Sequence, residues 1–456
     1  MFGDYLCRFR DNIAFLCGDE SLTYGALLER AADFSSQLGS GRQLVALFCS
    51  NDLDSVIAYF GCLLHGHVAL LLDAEYSPSL HAPLLEQFKV SRIWKRSSDV
   101  SRYVLGATTY QAPIMHADLR LLLSTSGSTG SKKLVRLSEK NIFTNALSIA
   151  KYLELTENER PITTLPMNYS YGLSVINSHV VVGATIVLNS QPVTSREFWD
   201  VFARGAVTSF SGVPFTYQML QRLRFENMSL PSLRYFTQAG GKLPAELASY
   251  LYKIADANGS KFYIMYGQTE ATARISYLPC SVGRDRVDSI GVAIPGGRLS
   301  IEDASGYTIQ TSGERGELVY YGDNVMMGYA LSPDDLSHGD EMNGRLSTGD
   351  VAVQDENGYY YIVGRLKRFV KINGNRIGLD EVELFLISRG FSVAVVGDDD
   401  LLKILVEDSD GAEVVNLVWS TFSIHPRNCR VLGNVLIPRN ESGKIVYADV
   451  AKTFLS

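Results

Sequence analysis

The stretch Ser-Thr-Ser-Gly-Ser-Thr-Gly-Ser-Lys-Lys at residues 124–133 constrains the fold of this chain more than any other feature. Apolar runs flank it at residues 119–123 and 134–137, which predicts a loop that joins two strands. Its glycines let backbone N–H groups turn inward, and its hydroxyls supply further donors. Such a loop with adjacent lysines suits the oxygens of a nucleotide triphosphate or pyrophosphate, although a plain Ser/Gly linker would have the same composition. It is not a Walker loop, because Gly-x-x-x-x-Gly-Lys-Ser/Thr does not fit.

Length, charge and cysteine spacing limit the class of protein. A chain of 456 residues predicts two or three domains, and 42 basic against 49 acidic residues argue against nucleic acid as a partner. The six cysteines form no close pair, which predicts reduced thiols and a cytoplasmic location. The apolar run at residues 62–72 is too short to span a bilayer and is interrupted by His65, Gly66 and His67, so no membrane span is expected.

Hydrophobic periodicity predicts an α/β fold. Before the loop, strands at residues 45–48, 68–72 and 92–94 alternate with helical segments that Thr23 and Asn51 are expected to cap. This order indicates parallel-type sheets with helices on their faces. After the loop, Ser138 is expected to cap the next helix, and the alternation continues to the strand at residues 261–265. The aromatic stretch at residues 165–173 is interpreted as a turn that contains glycine.

The pattern changes beyond residue 280. Short strands and hairpins, including residues 351–354 and 359–363 joined by Asn-Gly, predict a small β subdomain that completes a large N-terminal domain at residues 1–366. Residues 367–456 predict a separate, small α+β C-terminal domain, whose last strand is expected at residues 435–437.

Several short motifs occur in one order along the chain. They lie at residues 124–133, 238–244 (Gln-Ala-Gly-Gly-Lys-Leu-Pro), 266–270 (Tyr-Gly-Gln-Thr-Glu), 347–350 (Ser-Thr-Gly-Asp), 364–367 (Gly-Arg-Leu-Lys), 371–377 and 438–445. Together they resemble the successive motifs of the adenylate-forming (AMP-binding) superfamily, which includes acyl-CoA synthetases, the adenylation domains of non-ribosomal peptide synthetases and firefly luciferase.

The resemblance implies a two-step reaction. A carboxylic acid, the small-molecule partner, attacks the α-phosphate of ATP in the presence of Mg²⁺, which releases pyrophosphate and leaves an acyl-adenylate. The acyl group then passes to a thiol of coenzyme A or of phosphopantetheine. Because both reacting groups are anionic, such a site needs positive charge and oriented donors more than an acid or a base.

The resemblance also implies roles for individual residues. Those that would hold the nucleotide are Thr125, Ser126, Gly127, Ser128, Thr129, Gly130, Gly240, Gly241, Tyr266, Gly267, Asp350 and Arg365. The catalytic group would be Lys133 at the phosphates, Thr269 at the α-phosphate, Glu270 as the Mg²⁺ ligand and Lys444 between the acyl oxygen and the α-phosphate. The family usually has a glycine directly after the loop lysine, where this chain has Leu134. Taken singly, Glu270 is more typical of a surface acid, Asp350 of a turn and Lys444 of a mobile tail.

A mobile C-terminal domain is a further implication. Lys367 occupies the hinge position of the resemblance, and the Asn-Gly turn that contains Gly374 would face the thiol in the second step, although an ordinary exposed hairpin would look the same.

The acyl pocket is expected near Tyr169, Ser170 and Arg274. Amino-acid-activating relatives place an aspartate where this chain has Ser170, and a neutral hydroxyl does not compensate a buried ammonium, which would cost several kcal/mol unpaired. A fatty, aromatic or hydroxy acid is therefore preferred. Arg274 could attract a second carboxylate or polar tail, or could be a surface or structural arginine.

Three functions remain open from sequence. The first is an acid–CoA ligase, the second a stand-alone enzyme that loads an acyl or peptidyl carrier protein, and the third a catalytically decayed nucleotide-binding homologue. Retention of Glu270, Asp350, Arg365 and Lys444 argues against the third.

Overall fold

We describe the fold from a computed structural model. It describes residues 1–74, 78–97, 102–124, 133–366, 368–372, 375–398, 400–422, 424–440 and 443–454. These residues form two compact units. Among the described residues, the first unit contains those up to 298 together with Tyr320–Leu346, and the second contains Leu299–Val319 and those from 347 onward. The predicted boundary between residues 366 and 367 stays a prediction.

Helices occur in both units of the described chain. They are α1 Phe2–Leu6, α2 Tyr24–Gln37, α3 Leu53–Leu64, α4 Pro78–Gln87, α5 Glu139–Tyr152, α6 Ser170–Val180, α7 Arg196–Arg204, α8 Pro214–Arg222, α9 Ala245–Ala257, α10 Leu379–Ser388, α11 Ala412–Phe422 and α12 Tyr447–Thr453.

The strands of the first unit are short and mostly buried. They are β1 Ile13–Cys17, β2 Glu20–Thr23, β3 Leu44–Cys49, β4 Val68–Asp73, β5 Arg92–Arg96, β6 Tyr103–Ala107, β7 Leu119–Ser124, β8 Leu134–Ser138, β9 Pro161–Ile162, β10 Ile186–Leu188, β11 Ser209–Gly212, β12 Tyr235–Gln238, β13 Lys261–Tyr266, β14 Ser276–Tyr277 and β15 Val292–Ala293. The later strands are β16 Arg298–Glu302, β17 Gly316–Tyr321, β18 Gly328–Ala330, β19 Arg345–Gln354, β20 Tyr360–Arg365, β21 Phe369–Ile372, β22 Asn375–Gly378, β23 Val393–Asp398, β24 Leu401–Val406 and β25 Cys429–Leu432.

Hydroxyl and carboxylate caps fix where the early helices begin. The side chain of Thr23 accepts from the Ala26 amide at the start of α2, and Ser138 forms a capping box with Asn141 at the start of α5, as expected. The prediction that Asn51 caps α3 was wrong, because Asp52 accepts from the Ser55 amide and is the cap.

Two sheets form the first unit. Over the described residues, one has the order β15-β14-β13-β12-β11-β9-β10-β1-β2, with β11, β12 and β13 parallel. The carboxyl ends of these three strands therefore meet at one edge, where open α/β folds place ligands. Ser211 lies beside Thr237 in this register, and Gln238 lies beside Ile264.

The second sheet contains the two strands, β7 and β8, that precede and follow the Ser/Gly loop in the sequence. Its order is β18-β8-β7-β4-β3-β5-β6, counted on the described part of the chain, and the pairs β3–β4, β3–β5 and β4–β7 are parallel. Strands β7 and β8 are antiparallel neighbours with Ser124 opposite Leu134, so the loop connects adjacent strands, as the apolar flanks predicted. Strand β18 covers the outer edge of β8 and pairs Tyr329 with Val135.

The second unit has its own core. A four-stranded sheet with the order β16-β17-β19-β20 lies mostly in this unit, together with the hairpin β21–β22 and the sheet β23-β24-β25, as far as the described residues extend. Apolar side chains of α10, β23, β24 and α11 form its core, including Leu386, Val395, Ile404 and Val418.

Two local predictions were wrong. Residues 435–437, all described, form no strand, because the parallel partner of β24 is β25 instead. The stretch at residues 165–173 is not all turn, since α6 begins at Ser170. Gly172 lies in the first turn of α6. A side chain does not fit at this position, because a Cβ would lie 2.3 Å from the Pro166 carbonyl oxygen.

All six cysteines fall in the described ranges and are free thiols. No helix in the described part of the chain combines the length and the apolar character needed to cross a bilayer.

Candidate active site

The segment after β13 is a tight turn with an unusual backbone. Residues Thr269–Ala271 form a 3₁₀ turn, and Thr272 and Ala273 follow it with φ values of 56° and 114°. The chain folds back so closely that a Cβ on Gly267 would lie 1.6 Å from the Ala273 carbonyl oxygen. Only glycine fits there, which explains the glycine of the Tyr-Gly-Gln-Thr-Glu motif.

The side chain of Asn324 is hydrogen-bonded to the backbone of this turn. Its amide nitrogen donates to the carbonyl oxygens of Ala271 (2.7 Å) and Arg274 (2.9 Å), while Tyr320 donates its hydroxyl to the Asn324 side-chain oxygen. The Met326 amide donates to the Glu270 carbonyl oxygen at 2.9 Å. These bonds satisfy backbone groups that the strained turn cannot pair internally.

Glu270, Tyr329 and Lys133 form a connected group. The Tyr329 hydroxyl donates to Glu270 Oε1 at 2.7 Å, and Lys133 Nζ lies 3.8 Å from the centroid of the Tyr329 ring. Burial and the neighbouring Glu270 carboxylate raise the pKa of Tyr329, so its hydroxyl stays protonated and remains a donor. The lysine that ends the Ser/Gly loop and the predicted metal ligand are thus joined through one aromatic residue.

Glu270 fits a Mg²⁺ site of the kind that is completed by substrate phosphates. It offers a half-buried carboxylate, a hard oxygen donor whose one oxygen is oriented by Tyr329. Among the described residues there is no cluster of three His, Cys, Asp or Glu that would hold a metal alone. Mg²⁺ commonly binds one or two carboxylates, phosphates and water, so a single well-held carboxylate matches its requirements.

Thr269 faces the start of α6. Its hydroxyl lies 3.1 Å from that of Ser170, which is the first residue of the helix and is buried. Tyr169 precedes it with extended backbone, and its ring packs edge-on against Tyr171 at 6.2 Å. The structure therefore places two predicted acyl-pocket residues beside the predicted phosphate-binding threonine. Arg274, the third, is only 2% exposed, which excludes a surface arginine.

The remaining nucleotide candidates of the first unit line the ends of β12 and β13. Gly240 has φ +86°, and the buried Gln238 side chain donates to the Gly241 carbonyl oxygen at 2.8 Å, which fixes this turn. The Gln268 amide donates to the Tyr266 hydroxyl at 3.1 Å.

Asp350 and Arg365 lie opposite each other in the second unit. They are cross-strand partners of β19 and β20, and Arg365 Nε lies 2.9 Å from Asp350 Oδ1. Asp350 is buried, whereas the Arg365 side chain is 61% exposed. Because the Arg365 side chain is largely exposed, solvent weakens the ion pair, and its main effect is to orient the buried carboxylate.

Lys444 lies in a closed turn of the second unit. Its amide donates to Asn440 Oδ1 at 2.9 Å, and its carbonyl accepts from the Asn440 amide at 2.8 Å. A β-bridge between Arg439 and Ile445 closes the turn behind it. The position is therefore a defined turn rather than a mobile tail.

Eight predicted site residues lie outside the described residues. They are Thr125, Ser126, Gly127, Ser128, Thr129, Gly130, Lys367 and Gly374.

Sequence reasoning missed Tyr329 and Asn324. Tyr329 follows Gly328 on the short edge strand β18. It lies near Lys133 because β18 pairs with β8, a contact between segments that are far apart in the sequence. Asn324 lies 50 residues from Arg274 along the chain, so no local pattern reveals its contacts with the turn.

Comparison with known proteins decides the family. A family model described as AMP-binding enzyme matches residues 5–330, well over half of the chain. The chain belongs to the AMP-binding enzyme family.

Curated relatives of this AMP-binding enzyme include two kinds of CoA-dependent protein. Feruloyl-CoA synthase of Amycolatopsis sp. is 29% identical over 359 residues, covering 75% of this chain and 71% of the relative. The 2-succinylbenzoate–CoA ligase of Bacillus licheniformis is 27% identical over 404 residues, covering 83% and 82%.

Solved structures show the same fold. O-succinylbenzoate coenzyme A synthetase (MenE) from Bacillus subtilis, in complex with ATP and magnesium ion, superposes with a TM-score of 0.81 at 24% identity over 99% of this chain and 98% of that chain. ATP-bound MatB from Rhodopseudomonas palustris gives a TM-score of 0.81 at 21% identity, covering 99% and 98%.

Proposed function

We propose that this AMP-binding enzyme is an AMP-forming acid–thiol ligase. It activates a carboxylic acid with ATP to an acyl-adenylate, releases pyrophosphate, and transfers the acyl group to a thiol, with coenzyme A as the acceptor. Family membership and the CoA-dependent names of the relatives support this proposal.

The observation that carries the proposal is the joined group of Lys133, Tyr329 and Glu270 beside the Thr269–Ser170 contact. It brings a cation, a hard carboxylate ligand and neutral hydroxyls together where β13 of one sheet meets β8 and β18 of the other. Phosphoryl chemistry requires this combination, because catalysis there depends on positioning and on neutralising charge.

Each group has a task in acid activation. Lys133 and the residues of the Ser/Gly loop hold the terminal phosphates, and Thr269 donates to the α-phosphate. Glu270, oriented by the Tyr329 hydroxyl, holds Mg²⁺, which supplies charge neutralisation when bound. The Asp350 carboxylate accepts from the ribose hydroxyls with Arg365 beside it, and Tyr266 lies against the adenine. Lys444 neutralises charge that develops between the acyl oxygen and the α-phosphate.

Ser170 sets a limit on the acid. It is buried and faces Thr269, so a substrate ammonium there would meet hydroxyls rather than a carboxylate. Burying an unpaired ammonium costs several kcal/mol, which disfavours α-amino acids and favours fatty, aromatic or hydroxy acids.

Three finer points belong to the same proposal. The C-terminal domain is proposed to rotate about Lys367 between the two steps and to bring the Gly374 turn to the thiol. Cysteine spacing supports a cytoplasmic location. A carrier protein with a phosphopantetheine arm is the alternative acceptor.

Product analysis tests the function. The enzyme is mixed with ATP, Mg²⁺ and one acid at a time, and nucleotide products are separated. We expect AMP and pyrophosphate with at least one carboxylic acid that is not an amino acid. The proposal would be contradicted if ADP were formed, or if none of the acids gave a product. Adding coenzyme A in one arm and a purified holo-carrier protein in another then identifies the acceptor, since only the true acceptor forms an acyl thioester.

A further inference from the structure

Arg274 is an interior arginine with a fixed backbone. It follows the strained turn, four residues after Glu270, and only 2% of its surface is exposed. Its carbonyl oxygen accepts from the side-chain amides of Asn145 (3.2 Å) and Asn324 (2.9 Å). The backbone is thereby held on one side, and the side chain extends into the protein.

The guanidinium of Arg274 contacts the Tyr171 ring and is hydrogen-bonded to the Tyr152 side chain, but it has no carboxylate partner among the described residues. Its Cζ lies 4.0 Å from the centroid of the Tyr171 ring, and its buried Nε has no hydrogen-bond acceptor. No Asp or Glu in the described part of the chain forms an ion pair with it. The interaction with an aromatic ring compensates only part of the desolvation energy of a buried cation. Full compensation requires a paired anion.

Two other arginines, the buried Arg136 and the partly buried Arg368, are paired with carboxylates. Arg136, with no exposed surface, forms an ion pair with Glu341 and donates to the carbonyl oxygens of Tyr329, Gly339 and Met327 at 3.2 Å each. Arg368 pairs with Asp380 and Glu383. Arg274 therefore departs from the pattern that structural arginines follow in the same molecule.

Neutral hydroxyls are connected to Tyr171, the residue whose ring lies against the guanidinium. The Thr237 hydroxyl lies 2.8 Å from that of Tyr171 and 2.9 Å from that of Ser211, and Tyr217 donates to the Thr237 carbonyl oxygen at 2.6 Å. Arg274, Ser211 and Thr237 line a cavity of about 10 Å³ together with apolar side chains such as Val175 and Met265. Tyr171, whose ring lies against the guanidinium, directly follows Ser170 in α6.

We propose that Arg274 is a specificity-determining residue that binds a second carboxylate on the acid substrate, so that this enzyme prefers dicarboxylic acids. The inference rests on the proposed function. The first carboxylate lies at Thr269 for activation, and the second forms a charge-assisted, bidentate pair with the guanidinium. The hydroxyls of Thr237 and Ser211, which line the same cavity as Arg274, would supply further donors.

Matched acid pairs test the selectivity. Butanoate is compared with succinate, hexanoate with adipate, and benzoate with terephthalate, and kcat/KM for pyrophosphate release is measured for each. We expect the parent to favour the diacid about 10²-fold in at least one pair, because a site built for a polar group strongly rejects the analogue that lacks it. A preference for the monoacid in every pair would overturn the proposal.

Two variants isolate the charge. Arg274→Met keeps the length of the side chain without its charge, and we expect the diacid-to-monoacid ratio to fall about 10²-fold. Arg274→Lys keeps a cation and should retain most of that preference. An unchanged ratio in Arg274→Met would overturn the role of Arg274.

A stability comparison separates ligand binding from a structural role. In urea without substrate, Arg274→Met should unfold near the urea concentration at which the parent unfolds, because the Tyr152 hydroxyl, which loses its hydrogen bond to Arg274, still donates to Met265 Sδ at 2.9 Å. Arg136→Met should unfold at a lower concentration, since carbonyl oxygens lose their donors. If Arg274→Met unfolded as early as Arg136→Met, Arg274 would be structural and the inference would fail.

The outcomes distinguish this inference from the proposed function. If monoacids drive pyrophosphate release equally well in the parent and in Arg274→Met, only the dicarboxylate inference fails. If no acid drives release from ATP, the proposed function itself fails.

Discussion

Gly267 is the residue whose substitution the backbone tolerates least. A Cβ there would meet the Ala273 carbonyl oxygen at 1.6 Å, and backbone atoms cannot move aside as a flexible side chain would. We expect Gly267→Ala to lower the free energy of unfolding by at least about 3 kcal/mol and to abolish acid activation, because the Thr269–Glu270 turn is displaced. Urea denaturation and pyrophosphate release measure both effects.

The control is Gly106→Ala on the edge strand β6. A Cβ added to Gly106 would lie 3.8 Å from the Ile93 carbonyl oxygen, which is an ordinary van der Waals distance. If both variants matched the parent in stability, the geometry of the turn would be wrong.

Tyr329 is expected to act through its hydroxyl. Tyr329→Phe keeps the ring beneath Lys133 but deletes the donor to Glu270. We expect the Mg²⁺ concentration for half-maximal activity to rise roughly 10-fold, because a charge-assisted hydrogen bond that orients the carboxylate is lost. Titration with Mg²⁺ measures this shift, and Tyr307→Phe, at a residue 74% exposed, is the control. Identical Mg²⁺ curves for the parent and Tyr329→Phe would contradict the role.

His179 makes stability depend on pH. It is buried, and its Nδ1 and Nε2 lie 2.7 Å from the Val175 carbonyl oxygen and 2.8 Å from the Tyr235 hydroxyl. Burial lowers the pKa of His179 to about 4 from the ordinary value of 6.5. Between these values the unfolded chain binds a proton that the folded chain does not, so stability is present above pH 6.5 and is lost as pH falls toward 4.

The variant His179→Gln removes this titration. From pH 7 to pH 4 we expect the parent to lose about 3 kcal/mol more unfolding free energy than His179→Gln, as a shift of this size implies. Chemical denaturation at each pH measures the difference, with the exposed His65→Gln as control. Parallel pH profiles for the parent and His179→Gln would contradict the assignment.

Residue identity in the motifs could be predicted from sequence, but their partners could not. Glu270 and Lys133 were found because each belongs to a short ordered motif. Tyr329 and Thr237 act through contacts made across separate strands, which no local spacing records.

At the scale of elements, α10 and α12 are joined by one buried carboxylate. Glu383 Oε1 accepts from the Tyr447 hydroxyl at 2.5 Å, and Oε2 accepts from the Val395 amide at 2.8 Å and from Arg368 at 3.3 Å. The Arg368 guanidinium also lies 3.6 Å from the Tyr447 ring centroid. Because Tyr447 opens α12 three residues after Lys444, this network anchors the turn that carries the lysine.

Glu383→Gln should therefore affect both stability and activity. Breaking a buried ion pair costs about 3–5 kcal/mol, and we expect the rate of acid activation to fall roughly 10-fold because the Lys444 turn loses its anchor. Glu413→Gln, at an exposed position of α11, is the control. A variant destabilised by this amount that activated acid at the parental rate would show that the anchor does not position Lys444.

Helix starts were predicted well where a hydroxyl cap was available, as at Thr23 and Ser138. The strand expected at residues 435–437 failed because alternating apolar residues also suit a loop: Ile437 is buried at 4% exposure, while Leu436 is 86% exposed. The pairing of β24 with β25 depends on tertiary packing, which the local sequence pattern does not determine.

At the scale of the whole molecule, motif order predicted the family and the α/β class, because both depend on many positions at once. The domain boundary between residues 366 and 367 stays a prediction, and Leu299–Val319 group with the second compact unit. That grouping depends on the pairing of β16, β17 and β19, which brings together segments far apart along the chain.

The most direct test of the account is acid-dependent exchange of labelled pyrophosphate into ATP. We expect exchange by the parent only when an acid is present, a loss on the order of 10²–10³ in Lys444→Ala, and parental exchange in Lys452→Ala, whose side chain is 73% exposed. Exchange without any acid, or equal rates for Lys444→Ala and the parent, would contradict adenylate formation at this site.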